Sequence, residues 1–327
     1  MTERRAGSQV GGPTAGTAGA RRDDDGVPWL LSGLPPFART AMWRRTPGHR
    51  GDGRPDLLWR VTVVSVAITL LWSAIAWVVR ATVGPEYSLL SHAMSAVLTS
   101  LLVVPMIALA RRHLDQRPWS GLGLTGLSAG WRHLLLGMAV WLVPAGVGTA
   151  LCVAFGWTEI TMRASVPEAL GFTALLVVLV LFYEAIPEEL AFRGYLQRNL
   201  MTEMSPGGAV LVQAGLFCLF GSAVWAILGE QTIDVARSLI LLAAGIVLGG
   251  IRVVSRNTWA CVGFHLAFQV AAQLLLAPAN GQFAVSDPLP LQLVAFGFLP
   301  FGLAVLLYQI FHPAPVNWRI PEPDRKP

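Results

Sequence analysis

Eight long apolar segments limit what this chain can fold into. Each is about as long as the roughly 17 to 25 residues that a helix needs to cross a bilayer core of about 30 Å. Only 13% of the 327 residues are charged and 54% are apolar, a balance unlike that of a soluble domain. The sequence therefore predicts an all-α integral membrane protein with eight transmembrane helices. The predicted spans are Leu57–Val79, Leu89–Ala110, Leu134–Phe155, Ala169–Ile186, Ala209–Leu228, Val235–Val254, Trp259–Ala277 and Leu291–Phe311.

The two ends of the chain differ from its apolar middle. Residues 1–56 are rich in Gly, Arg, Pro and Asp and contain no apolar stretch of the kind found in a secretory signal. We therefore predict a disordered cytoplasmic tail over residues 1–56, an eight-helix membrane domain over residues 57–313, and a second cytoplasmic tail over residues 314–327.

The basic residues predict the orientation of the helices. If the N-terminus is inside, the loops on that side hold nearly all of the 24 Lys and Arg residues, whereas the opposite loops hold only Arg80, Arg163 and Arg237. Because short loops rich in Lys and Arg stay in the cytoplasm, both termini are predicted to be cytoplasmic, in a multi-pass protein of the plasma membrane. This asymmetry accounts for the net charge of +5, so no nucleic-acid partner is expected, and the Arg-rich tail is expected to contact anionic lipid.

Acidic residues cluster in one segment near the predicted cytoplasmic end of the fourth span, residues 183–194 (YEAIPEELAFRG). A charged side chain at the centre of a bilayer costs at least about 2.5 to 3.5 kcal/mol, so these acids are candidates for function. Glu189 and Arg193 have the spacing and order of an intrahelical ion pair, which leaves Glu188 for chemistry. Glu184 lies one turn before Glu188 on the same face. The alternative interpretation is that the acids only cap and pair at a helix end near water.

A histidine in the seventh predicted span is the second candidate. His265 is followed one turn later by Gln269, on the same helix face. A lone histidine on an apolar helix is commonly a structural residue. Both this segment and the acidic segment fall in the predicted cytoplasmic half of the membrane, so we expect His265 to meet the acids there.

These residues resemble a known family. Residues 188–193 (EELAFR) resemble the EExxxR motif of the CAAX-protease and bacteriocin-processing family, which includes the type II CAAX prenyl endopeptidases. The family's third motif, HxxxN or HxxxD, is recognisable in His265 to Gln269, and the likeness covers roughly residues 121–273. The resemblance implies an eight-helix fold in which acids and histidines line a cavity open to the cytoplasm.

The resemblance also implies a role for each matching residue. Glu188 would activate water for attack on a peptide bond, with Glu189 and Arg193 supporting it. His265 would act as a metal ligand or as a donor to the oxyanion. A general base of this kind suits amide hydrolysis, because it can take a proton from water and later return it to the amine.

Two positions depart from the family pattern. The family's second motif is FxxxH, and its best match begins at Phe220 and places Val224 at the histidine position. Gln269 replaces the Asn or Asp of the third motif. A divalent metal held by Glu188 and His265 would have fewer than the three protein ligands usual for catalytic zinc. A metal cofactor is therefore left open, and Glu184 is a further candidate binding group together with Gln269.

Three functions are consistent with the sequence. The preferred one is an intramembrane endopeptidase that hydrolyses a peptide bond of a membrane-associated or lipidated substrate, because the first motif is intact. A noncatalytic relative that binds a membrane partner is the alternative favoured by Val224. A transporter or channel is a third alternative, since buried acids also mark ion and proton paths.

Overall fold

The computed structural model describes residues 54–227 and 235–322. Most of the predicted N-terminal tail, residues 1–53, lies outside this range, as do residues 323–327 of the second tail and Leu228, the predicted end of span five. The described part of the second tail reaches the fourth helix, where the backbone N–H of Glu322 donates to the carbonyl of Met201 at 2.8 Å.

The described residues form eight helices that are long and apolar enough to cross a membrane, as predicted. Many large apolar side chains on their outer faces are exposed, as lipid-facing side chains are. The helices are α1 Leu57–Val83, α2 Leu89–Asp115, α3 Leu127–Ala154, α4 Val166–Met201, α5 Pro206–Ile227, α6 Val235–Ser255, α7 Thr258–Leu275 and α8 Pro288–Phe311.

Short elements connect some of these helices. A 3-10 turn at Trp119–Leu122 precedes α3, and another at Pro278–Asn280 follows α7. Strand β1 Ile160–Met162, between α3 and α4, pairs antiparallel with β2 Phe283–Val285, between α7 and α8. The two strands join two loops at the same end of the bundle, which we call the sheet end.

Polar side chains fix where two of the helices begin. Ser165 and Glu168 form a reciprocal capping box, in which each side chain accepts from the other residue's backbone N–H at the start of α4. At the start of α7, the side chain of Asn257 accepts from the N–H of Trp259. These caps satisfy donors that the first turn of a helix leaves unpaired.

Helix α4 continues beyond its predicted end. The prediction ended span four at Ile186, but α4 runs on through the acidic segment to Met201. It passes Pro187 by way of a π-helical stretch, Leu181–Ala185, in which the N–H of Ile186 bonds the carbonyl of Leu181. Helix α4 thus extends past the predicted membrane span, and the charged side chains Glu189 and Arg193 of this extension are buried and paired with each other.

Helices α3 and α7 pack backbone against backbone. A Cβ atom added to Gly137 would lie 2.1 Å from the carbonyl oxygen of Ala260, and one added to Gly263 would lie 2.0 Å from that of Leu134. Small residues allow this close approach in membrane bundles. The contact holds α7, and with it His265, in a fixed position.

At the other end of the bundle, a buried carboxylate connects three helices through hydrogen bonds. Asp115, at the end of α2, accepts from Arg60 of α1 at 3.1 Å and from Arg111 at 2.9 Å. It also accepts from Tyr195 and Asn199 of α4, both at 3.0 Å. The side chain of Asp115 has no exposed surface. We call this the charged end of the bundle.

Candidate active site

The acidic segment forms a buried ion pair. Nη1 of Arg193 lies 2.9 Å from Oε1 of Glu189, one turn apart on α4, and neither side chain is exposed. The guanidinium carbon of Arg193 also lies 4.4 Å from the ring centroid of Phe217 on α5. This is the pair that the sequence spacing predicts, and α5 closes over it.

The carboxylate of the Glu189–Arg193 pair binds one side of the His265 ring. Nδ1 of His265 donates to Oε1 of Glu189 at 2.7 Å, across from α7 to α4. The other ring nitrogen, Nε2, lies 4.0 Å from Oε2 of Glu188. A hydrogen bond at Nδ1 fixes the ring orientation, so Nε2 is the nitrogen presented to Glu188. The structure therefore brings together Glu188, Glu189, Arg193 and His265.

Two amides hold the third acid of the segment. Gln269 donates to Oε2 of Glu184, and Gln273, one turn further along α7, donates to Oε1 at 3.5 Å. Glu184 lies one turn from Glu188 on α4. The candidate binding residues Glu184 and Gln269 are thus in direct contact with each other.

The site lies on a cavity of about 430 Å³. Aromatic and aliphatic side chains supply most of its wall, and Glu184, Glu188, His265 and Gln269 are among its polar groups. A mostly apolar cavity with a few convergent polar groups is typical of a site for a small or extended ligand. The apolar lining includes Trp72, Phe217, Phe220, Val224, Leu241, Phe264 and Phe268.

Val224 lines the same cavity as His265. The structure therefore places the residue at the second-motif position within the site, on α5. Its side chain is nearly buried and is packed in the same apolar cluster as Phe220. An isopropyl group neither donates a hydrogen bond nor binds a metal, so this wall of the cavity is chemically inert.

The cavity extends away from the charged end. On α5 its lining runs from Phe217 to Trp225, and on α6 it runs from Leu248 back to Arg237, in both cases towards the sheet end. The expected opening lay at the other, Arg-rich end, which was predicted to be cytoplasmic. At that end the residues of the Asp115 network are absent from the cavity lining, and an opening on that side stays a prediction.

The residues present do not fit a metal site with three protein ligands. In the described ranges, no group of three or more His, Cys, Asp or Glu side chains is arranged to hold one ion. Nδ1 of His265 is already bonded to Glu189, and the oxygens of Glu184 accept from amides. Val224 supplies no ligand. Glu188 and Nε2 of His265 are thus one ligand short of the usual catalytic zinc set.

Sequence reasoning missed several residues of the site. Gln273 continues the helix face of His265 and Gln269, and extending that spacing by one turn would have found it. Tyr183 precedes the motif and lies against Trp72 of α1, with ring centroids 5.8 Å apart. No local signal marks Trp72, because its place in the cavity depends on how α1 packs against α4 and α5.

Comparison with known proteins agrees with the motif. Residues 170–271 match a protein-family model described as Type II CAAX prenyl endopeptidase Rce1-like, a stretch that begins in α4 and ends in α7. It contains Glu184, Glu188, Glu189, Arg193, Val224, His265 and Gln269. Comparisons with curated proteins and with solved structures gave no significant match. The resemblance predicted from the motif is confirmed over this stretch: the chain is a multi-pass membrane protein whose residues 170–271 are similar to the Rce1-like type II CAAX prenyl endopeptidases.

Proposed function

We propose that the protein is an intramembrane endopeptidase that hydrolyses a peptide bond of a membrane-associated substrate, with Glu188 activating the water. One observation supports this most directly. The carboxylate of Glu188 and Nε2 of His265 lie 4.0 Å apart on the wall of the cavity. That separation is longer than a direct hydrogen bond and leaves both groups able to bind a third polar atom near them.

Glu188 acts as the general base in this proposal. Its carboxylate takes a proton from a water molecule while the water oxygen forms a bond to the carbonyl carbon of the scissile peptide. The carbonyl oxygen becomes an oxyanion. When the C–N bond breaks, Glu188 returns the proton to the leaving amine, so the reaction needs no other proton donor. General acid–base catalysis of this kind contributes about 100-fold to 10,000-fold in rate.

His265 serves as the oxyanion donor when its ring carries both protons. Glu189 accepts from Nδ1, and Arg193 holds Glu189 in place, so Nε2 is aimed at the cavity. A protonated ring fixed in this way donates from Nε2 to the developing oxyanion. One such donor typically contributes about 100-fold to 1000-fold in rate. Glu189 and Arg193 position His265 and do not touch the substrate.

The cavity lining suits an apolar substrate. Aromatic side chains around Glu188 would pack against apolar side chains or a lipid chain, and Glu184 with Gln269 would bind the peptide backbone. We therefore assign as substrate a membrane-associated or lipidated peptide. The distribution of basic residues supports cytoplasmic termini, and we place the protein in the plasma membrane as part of this proposal.

A noncatalytic relative is the second candidate, and Val224 favours it. With an isopropyl group at the second-motif position, one side of the cavity offers no donor to an oxyanion. Such a protein would bind a membrane peptide in the same apolar cavity without cleaving it. Transport is the third candidate, because Glu184 and Glu188 are also the kind of buried acid that marks an ion path.

Purified protein in liposomes separates the three functions. A panel of lipidated and unlipidated apolar peptides is incubated with the protein, and products are identified by mass spectrometry. Cleavage at a defined bond supports the peptidase. Peptide binding without product supports the noncatalytic relative. Proton or solute flux without either supports transport and contradicts the peptidase.

A further inference from the structure

A row of unpartnered polar atoms lies beside the site. Glu189, Arg193 and Gln197 are spaced one turn apart and share one face of α4. Within the described residues, Oε2 of Glu189, Nε and Nη2 of Arg193, and Oε1 of Gln197 are buried and have no hydrogen-bond partner. Each of these three side chains has no exposed surface. The row therefore combines full burial with unused hydrogen-bonding capacity.

A buried glutamine on α5 adds two more unpartnered atoms to those of this row. Gln213 is fully buried, and neither Oε1 nor Nε2 of its amide has a partner in the described part of the chain. Gln213 and Gln197 both approach Gly249 of α6. Nε2 of Gln197 donates to the carbonyl of Gly249 at 2.9 Å, and Oε1 of Gln213 would lie 3.2 Å from a Cβ atom at that glycine. One turn along α5, Phe217 covers Arg193.

The six unpartnered atoms indicate what would satisfy them. Three are acceptors, from Glu189, Gln197 and Gln213, and three are donors, from Arg193 and Gln213. An anion would satisfy only the donors, and a cation only the acceptors. Water both donates and accepts, and it is the usual partner of buried polar groups that the protein leaves unsatisfied. Because buried polar groups are rarely left unpaired, the clustering of these atoms on four side chains further indicates that they share one connected set of water molecules.

We propose that Glu189, Arg193, Gln197 and Gln213 bind a chain of ordered water molecules inside the membrane domain. The chain runs along α4 from Gln197 to Glu189, whose other oxygen accepts from His265. It hydrates the buried ion pair, and it ends one residue along α4 from Glu188. If the proposed peptidase function holds, these waters are the source from which the hydrolytic water is replaced after each turnover.

Hydroxyl-radical labelling tests the water site without any substrate. The full chain in nanodiscs is exchanged into ¹⁸O-water and exposed to a brief X-ray pulse, which makes radicals from bound water where it lies. Met201, which Gln197 contacts, and Phe192 are the reporters, because both are almost completely buried from bulk solvent. We expect both to gain ¹⁸O in the wild type. Labelling no higher than in the unirradiated sample would overturn the proposal.

Variants then assign the water to these side chains. Gln197→Leu with Gln213→Leu removes three of the six atoms at similar side-chain size, and we expect loss of labelling at Phe192. The control is Thr99→Val, which removes another buried unpartnered hydroxyl, on α2, and should leave Phe192 labelled. Labelling that persists in the double variant would contradict the assignment. If the double variant does not fold, the single variant Gln213→Leu replaces it in this comparison. The labelling of the wild type tests the presence of water independently of either variant.

A separate measurement tests whether the proposed water chain supplies the hydrolytic water. If the water chain feeds the reaction, Gln213→Leu lowers kcat and leaves KM unchanged, because Gln213 does not line the cavity. An unchanged kcat with lost labelling would overturn the link while keeping the water site. Absence of cleavage in the wild type would overturn the proposed function and leave the labelling result unaffected.

Discussion

Nδ1 of His265 lies 2.7 Å from Oε1 of Glu189, although 76 positions separate the two residues in sequence. This contact ties α7 to α4 at the site, and it makes the Glu189–Arg193 pair part of the support of His265. Glu188, the preceding residue on α4, thereby faces the other ring nitrogen. The positions of the four side chains depend on one another.

Removing Arg193 should destabilise the fold. Arg193→Ala leaves the carboxylate of Glu189 buried without its cation, and breaking a buried pair typically costs about 3 to 5 kcal/mol. We expect a lower yield of folded protein and a lower melting temperature in detergent than for Glu188→Gln. Arg112→Ala, at an exposed position of α2, is the control and should resemble the wild type. Equal stability of Arg193→Ala and Glu188→Gln would show that the pair contributes little.

The stability of the charged end should depend on the negative charge of Asp115. Asp115→Asn keeps the size of the side chain but removes the fully buried carboxylate that Arg60 and Arg111 both bind, and a loss of about 3 to 5 kcal/mol is expected. Thermal unfolding in detergent measures it. The matched control is Asp287→Asn, because this exposed residue caps a helix by accepting from Leu289, and asparagine caps equally well. If both variants melted alike, the network at the charged end would not hold the helices together.

Close packing of α3 and α7 should tolerate no side chain at Gly263. A methyl group there meets the backbone oxygen of Leu134, so Gly263→Ala forces the helices apart at a cost of at least about 1 to 3 kcal/mol. At Gly146 on α3 a Cβ atom has no heavy atom within 4 Å, so Gly146→Ala should be neutral or slightly stabilising. Melting temperatures of the two variants decide the point. A wild-type melting temperature for Gly263→Ala would contradict this packing.

A histidine introduced at Val224 should give the inert wall of the cavity a functional group. Val224→His adds a third metal-binding side chain to Glu188 and His265, and it also supplies a second oxyanion donor. We expect either Co²⁺ binding, visible as an absorption band, or cleavage raised by up to about 100-fold. Val210→His is the control, since Val210 is buried on α5 but does not line the cavity. Co²⁺ binding by both variants, or no change in either, would refute the placement of Val224 in the site.

The sequence predicted some parts of this structure well. Hydropathy alone predicted the eight helices, because lipid requires long apolar helices whatever their neighbours are. The pairing of Glu189 with Arg193 follows from their spacing on a helix. The family motif also pointed to Glu188 and His265, which the structure places 4.0 Å apart.

Other parts could not be read from local sequence. The continuation of α4 to Met201 depends on partners for its charged side chains that come from α5 and α7. In the sequence, nothing distinguishes Asp115 from any other acid that follows a membrane span. Only the structure shows that Arg60 and Asn199 donate hydrogen bonds to it. The position of the cavity depends on packing between segments that are distant in sequence, because its lining comes from α1, α4, α5, α6 and α7.

The proposed role of Glu188 makes the most direct prediction. Glu188→Gln keeps the size and polarity of the side chain but removes its ability to take a proton from water. We expect kcat for peptide cleavage in liposomes to fall by at least about 100-fold. The same change at Glu159, which is exposed near the sheet end, should leave kcat unchanged.

The decisive measurement is therefore kcat for one cleaved peptide, determined for the wild type, Glu188→Gln and Glu159→Gln in the same liposomes. Folding of each variant is checked beforehand by its melting temperature in detergent. We expect the wild type and Glu159→Gln to cleave the peptide at equal rates and Glu188→Gln to be nearly inactive. Cleavage by Glu188→Gln at the wild-type rate, or no cleavage by the wild type of any peptide in a broad panel, would contradict the proposed role of Glu188.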